Sequence, residues 1–139
     1  YVQYAHARCC SLQRRAVEQG LAPEAHGACV TPHDVDLLST EDDRARLLKI
    51  AHYPEVAVQA AQAREPHRIA TYAIELAGLF HQHWTRATKE VPDQRILQPD
   101  APDQTRARLA LATGVRVTLA RALAIMGVTP LEAMTSEDT

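Results

Sequence analysis

The sequence predicts an all-α fold, an antiparallel bundle of about five helices. Three observations carry that expectation. Apolar residues recur at spacings of three and four along most of the chain, and no stretch alternates apolar with polar residues long enough to make a strand. Gly20, Pro54, Pro66 and Gly127 stand at the joints between the periodic stretches. With 139 residues, 46% of them hydrophobic, the chain is sized for one domain that buries roughly two-thirds of its unfolded surface.

Val2, Ala5, Cys9, Leu12 and Ala16 make one continuous stripe on a first helix between Tyr1 and its stop at Gly20. A mixed loop containing Pro23, Gly27 and Pro32 follows. A second helix starts after Thr40, where Asp43 stands three residues on as in a capping box; it carries Ala45, Leu47, Leu48 and Ile50 and ends before Pro54. Two further helices, Pro54 to Arg64 and Pro66 to about Thr88, open on prolines because a first turn has no use for the missing N–H. The longer one has its stripe at Ile69, Ala73, Leu76, Phe80 and Trp84. Val91 to Gln104, with Pro92, Pro99 and Pro102, reads as a functional or mobile loop. The last long helix, about Thr105 to Met126, is apolar on more than one face, as a central helix of a bundle is. Gly127 is its C-cap, Pro130 a helix restart, and Thr135 to Thr139 a polar tail, so the domain is expected over 1–134 with 135–139 as the tail.

Fifteen Lys+Arg against 17 Asp+Glu, a net charge of −2, exclude a protein that coats nucleic acid by bulk charge. The three cysteines, Cys9, Cys10 and Cys29, suit neither a disulfide framework nor a four-ligand zinc site, and a reducing, cytoplasmic setting is expected. No run is long enough to cross a membrane, and the start at Tyr1 without a Met suggests a piece of something longer. Seven histidines are scattered without metal-ligand spacing. His81 and His83, two apart on a helix, face different ways, and His26 with Cys29 has no second pair. Glu41, Asp42 and Asp43 sit where a helix dipole accounts for them. With no phosphate-cradling glycine loop and no nucleophile elbow, no catalytic residue and no metal are assigned.

Binding is the better-supported chemistry. Tyr1, Tyr4, Arg8, Ser11 and Arg15 each precede a core position of the first helix by one, which makes a second stripe rotated about 100° from the apolar one. Tyrosine rings stack on unpaired bases for about 1–3 kcal/mol, and arginine meets phosphates or base edges. Single-stranded RNA in a loop is recognised this way, without bulk charge. Boundary tyrosines and solvated arginines have the same spacing, so the stripe alone leaves both readings open. Trp84 is likewise either core or a half-exposed indole.

The residues resemble the C-terminal anticodon-binding domain, called DALR, of bacterial arginyl-tRNA synthetases. The matching segments run in order: "YVQYAHAR" from Tyr1, "YPEV" from Tyr53, Ala60-Ala61, "EPH" from Glu65, Tyr72 with Glu75, Leu76 and Ala77, "ARLAL" from Ala107, and "MGVTPLEAM" ending at Met134. The resemblance implies an all-α bundle of the class I synthetase anticodon-binding type that holds the anticodon loop of arginine tRNA with its bases splayed out. It places Tyr4 and Arg8 facing that loop, Tyr1 one turn earlier, Trp84 on the RNA side, and Met134 near the anticodon as an apolar floor. The partners implied are that tRNA and a catalytic domain on the same polypeptide, in a cytoplasmic monomer, with ATP and Mg²⁺ used by the catalytic part and no cofactor in this chain.

The sequence also departs from the family. Residues continue past Met134, the literal DALR tetrapeptide is absent around Thr105 to Leu109, and the HIGH-like and KMSKS-like segments are missing. The chain alone is therefore not expected to activate arginine. Two rivals stand beside this reading: a helical protein-interaction domain that docks a partner through the first helix without RNA, and a metal-dependent enzyme built on the histidines.

Overall fold

The computed structural model describes residues 1–22 and 31–134. The loop residues Pro23 and Gly27, the pair His26 and Cys29, and the tail Thr135 to Thr139 lie outside the described residues. Among those described there are six α-helices, one 3-10 turn and no strand: α1 Val2–Glu18, α2 Pro32–Leu37, α3 Glu41–Ala51, α4 Tyr53–Ala63, α5 His67–Lys89, the turn Pro92–Gln94, and α6 Pro102–Ile125.

The five expected helices are all present, and their ends follow from local chemistry. Gly20 and Gly127 take positive φ of 68° and 73°. Each closes its helix with the paired bonds of a Schellman motif, Gly20 N to Val17 O with Leu21 N to Ala16 O, and Gly127 N to Ala124 O with Val128 N to Leu123 O. Thr40 caps α3 by accepting from the Asp43 amide at 3.1 Å, but the Asp43 carboxylate turns inward to Arg46 and does not complete a capping box.

Three expectations are corrected. Pro32 opens a short helix, α2, and does not lie in a loop. Thr31 Oγ1 accepts from the Asp34 amide while Asp34 Oδ2 accepts from the Thr31 amide, a full capping box. Arg106 of α6 then donates to Asp34 Oδ1 at 2.9 Å, and Gln104 donates to the Leu37 carbonyl, which docks α2 on α6. Residues 91–101 are also tied down. Arg108 Nη1 donates to the carbonyls of Asp93 and Arg95, Thr105 Oγ1 bonds both backbone groups of Gln98, and Ile96 is buried in the core. Finally, Pro130 restarts no helix. The backbone around it is bonded to side chains of α1: Gln3 takes the Thr129 carbonyl and the Leu131 amide, His6 Nδ1 donates to the Leu131 carbonyl at 2.8 Å, and Arg14 donates to the Glu132 carbonyl.

Side-chain pairs fix the helix directions. Gln3 meets Thr129 and Gln13 meets Thr113, so α1 and α6 are antiparallel; Asp42 meets Arg86 and Lys49 meets Glu75, so α3 and α5 are antiparallel. Helices α1 and α5 run side by side in the same direction, Tyr1 beside His81 and Arg8 beside Trp84. The core is built from Ala5, Cys9, Leu12 and Ala16 of α1, Ile69, Leu76 and Phe80 of α5, and Val115 and Leu119 of α6. Helix α6 touches α1, α2, α3 and α5, which is why it is apolar on several sides.

Candidate nucleic-acid interface

Because α1 and α5 run side by side, Tyr1, Tyr4 and Arg8, each just before a core position of α1, meet His81 and Trp84 of α5. Tyr1 and Tyr4 are 66% and 43% exposed. Their rings lie 4.7 and 5.7 Å from the His81 ring, Tyr4 stacked on it at 25°. The Arg8 guanidinium lies between two aromatic rings, its Cζ 4.3 Å from the Tyr4 centroid and 4.6 Å from that of Trp84, and it donates to the Tyr4 hydroxyl. Trp84 is half-buried and rests on Phe80 at 6.3 Å, so it serves both the core and the surface.

Met134 completes the arrangement. It arrives on the segment stitched to α1 by Gln3, His6 and Arg14, and with Tyr4, Arg8, Ser11, Arg15 and Trp84 it lines a cavity of about 260 Å³. Four of the five predicted site residues therefore share one cavity, and Tyr1 adjoins it through His81. The first helix's apolar stripe is spent in the core, so it is not available for a partner helix.

His81 was not singled out by the sequence, although the signal was there: it follows the core residue Phe80 by one position, as Tyr4 precedes Ala5. Its Nε2 donates to the Tyr1 carbonyl at 3.3 Å, and burial followed by the nearby Arg8 charge holds its pKa below the usual histidine value, so the ring is neutral between the tyrosines. His6 and His83 are both buried.

Beneath the aromatic cluster lies a buried polar layer. Asp43 and Arg46 pair at 2.8 Å with no solvent exposure, Arg46 Nε donates to the Asp42 carbonyl, and Asp42 in turn receives Arg86 at 2.9 Å. His83, 1% exposed, sits 3.7 Å from Asp42 Oδ2. Burial, and then the charge of Arg46, lowers its pKa from 6.5 to about 4. The unfolded chain takes up this proton below pH about 6.5 and the folded chain only near 4, so stability falls on acidification through that window and is unaffected by this group above it. Urea unfolding at pH about 5.5 should give roughly 1 kcal/mol less stability than at 7.5 from this site, a difference that His83→Phe removes. An equal pH dependence in the variant would assign the loss elsewhere.

Burial pushes the Cys9 thiol up to about 12, and among the described residues no three His, Cys, Asp or Glu side chains are grouped to hold a metal ion. The geometry is that of a binding surface: flat rings, a guanidinium and an apolar floor, with Arg14 and Arg15 at its edge.

Comparison with known proteins agrees with this geometry. The arginine tRNA ligase of Ruegeria pomeroyi is 42% identical over 134 residues, and that of Symbiobacterium thermophilum is 45% identical over 134 residues. Each match covers 96% of this chain and 22% of the relative, so the chain spans about a fifth of the length of these proteins. Among solved structures, the Thermus thermophilus arginyl-tRNA synthetase superposes with a TM-score of 0.75 at 30% identity, over 96% of this chain and 21% of that one. The family model described as the DALR anticodon binding domain matches residues 2–134, and the chain, with its helical bundle and its aromatic and arginine cavity, belongs to that family.

Proposed function

We propose that this domain holds the anticodon loop of arginine tRNA for a ligase that joins arginine to that tRNA. The observation that carries the reading is the Arg8 guanidinium held between Tyr4 and Trp84 over Met134. Unstacked loop bases find flat partners in Tyr1, Tyr4 and Trp84, while Arg8 offers planar donors to a base edge or phosphate. Met134 forms the apolar floor on which a base edge rests. His81 packs against both tyrosine rings.

The rest of the polypeptide, in this reading, carries the catalytic domain and uses ATP and Mg²⁺; the ligase is cytoplasmic and monomeric. The described residues of this chain do not fit those cofactors, having neither a grouped ligand set nor a glycine-rich phosphate loop, so no step is routed through them here. Residues 135–139 extend the domain as a polar tail.

The single tryptophan, Trp84, makes the test direct. Titrating the chain with an arginine tRNA anticodon stem-loop should change Trp84 fluorescence at lower RNA concentration than a noncognate loop does, and Tyr4→Ala should weaken binding about tenfold. With Arg8, Arg14 and Arg15 as the phosphate contacts, log K should fall with log salt at a slope of about −2. Equal binding of cognate and noncognate loops would overturn the assignment.

A further inference from the structure

Helix α1 has three faces, and the core and the tyrosine–arginine stripe account for two of them. The third carries Gln3, His6, Cys10 and Arg14, spaced by three, four and four, and is turned away from both. Along it lies the chain that follows α6. Gln3 Nε2 donates to the Thr129 carbonyl at 2.8 Å and its Oε1 accepts from the Leu131 amide at 2.9 Å, the two bonds that a peptide group of a neighbouring strand would make. His6 Nδ1 donates to the Leu131 carbonyl at 2.8 Å, and Arg14 to that of Glu132 at 3.3 Å. The bonded positions rise along both partners together, so residues 129–134 form a strap that runs along α1 and brings Met134 into the cavity of Tyr4, Arg8 and Trp84. Resting on the anticodon reading above, we propose that Gln3 and His6 are positioning residues for RNA recognition, holding this strap closed so that Met134 forms the cavity floor.

Two observations support the assignment. First, burial does not hold the strap. Val128, Thr129, Leu131, Glu132 and Ala133 are exposed, Pro130 and Met134 are half-buried, and among the described residues no backbone–backbone bond reaches 129–134. The entropy of ordering these residues is therefore offset chiefly by bonds to α1 side chains, and removing those bonds frees the strap. Second, His6 is 3% exposed and Cys10 Sγ lies 3.8 Å from the same ring nitrogen, so His6 is a fixed donor that loses little freedom when it bonds the strap. A strap closed only about a tenth of the time would weaken RNA binding about tenfold, although neither Gln3 nor His6 lines the cavity.

The 139-residue chain has two methionines, Met126 and Met134, so labelled methionine methyl groups give two NMR resonances, with Met134→Ala as the assignment. In the wild type the Met134 methyl should be displaced by the Tyr4 and Trp84 rings. In the double variant Gln3→Ala with His6→Leu it should move to the position of a methionine in an unfolded chain, while that of Met126, which packs against the core, stays. The double variant should also bind the arginine tRNA anticodon stem-loop about tenfold more weakly. Met134→Ala should cost about tenfold in the wild type and no more than about twofold in the double variant, a coupling that a purely structural role of Gln3 and His6 would not produce. His6→Asn, whose amide N–H stands where His6 Nδ1 does, should bind within about twofold of the wild type. Cooperative melting checks each fold, and Gln3→Ala alone, at a partly exposed position, carries both readouts if His6→Leu does not fold. Arg14 is left intact because it lines the cavity itself. A Met134 methyl that stays in place in a folded variant, or equal Met134→Ala penalties in both backgrounds, would overturn the positioning role while the Tyr4 dependence leaves the anticodon reading standing. Loss of cognate preference in the wild type would overturn both.

Discussion

Asp43→Ala should cost the domain about 3–5 kcal/mol of stability, since it strands a fully buried arginine without its partner. Asp43 and Arg46 both have no solvent exposure, and their 2.8 Å contact is the carboxylate bond of Arg46. Its other bonded contact is the carbonyl of Asp42, while Nη1 has none. The surroundings make matters worse: Arg108 already lowers the Arg46 pKa, and burial lowers it most. Domains of this size are stable by about 5–15 kcal/mol, so the single change should consume a large share of that margin. Removing both partners is a different experiment. In Asp43→Ala with Arg46→Met no charge remains to be solvated, and the loss should be much smaller than in Asp43→Ala alone. Urea midpoints at an unchanged slope would measure both; an Asp43→Ala variant as mild as a surface change would show that water or a rearranged Asp42 reaches Arg46. The pair also bears on the proposed interface, because the layer it anchors includes His83 and Arg86, close neighbours of Trp84 on α5.

That buried layer marks the boundary of what the sequence made legible. Five helices follow from a three-and-four apolar period and from Gly and Pro at the joints, because burial there tracks hydrophobicity and both signals are local. Tyr1, Tyr4 and Arg8 follow from the same period read one position off the core, whereas Trp84 continues the core stripe of α5 toward the surface. His81 stands one position past Phe80 on α5 and belongs to the same pattern. What stays hidden depends on partners far along the chain. Asp43, Arg46, His6 and His83 are polar residues inside the protein, and nothing in a one-dimensional pattern distinguishes a buried arginine with a carboxylate from a solvated one. Pro130 looked like a helix start because proline suits a first turn, yet the backbone around it is used by Gln3, His6 and Arg14 from more than 110 positions away. Helix α2 is the opposite case: Thr31, Pro32 and Asp34 spell a capping box locally, but only six residues follow, too few to show a period.

Arg8→Ala should weaken anticodon-loop binding roughly 10- to 100-fold while changing stability by no more than about 1 kcal/mol. The two effects separate because of where Arg8 stands. Its guanidinium faces outward between Tyr4 and Trp84, so its removal exposes ring surface that is already half in water and opens no cavity in the core. Binding should suffer more, since the same guanidinium lies against both rings and, in the proposed reading, supplies planar donors to RNA. Arg8→Lys distinguishes shape from charge. An ammonium keeps the charge and the phosphate attraction, yet it cannot lie flat between two rings or offer a fork of donors, so it should restore the salt dependence but little of the affinity. Arg15→Ala is the complementary control: exposed and unstacked, it should reduce the salt slope by about 0.7 and cost only a few-fold in affinity at moderate salt. If Arg8→Lys binds like the wild type, the interface works through charge alone, and the arrangement of Tyr4, Arg8 and Trp84 is packing without a part in recognition. If Arg8→Ala and Arg15→Ala differ only in salt slope, the same conclusion follows from the other side, because stacking contributes an affinity difference that persists at high salt.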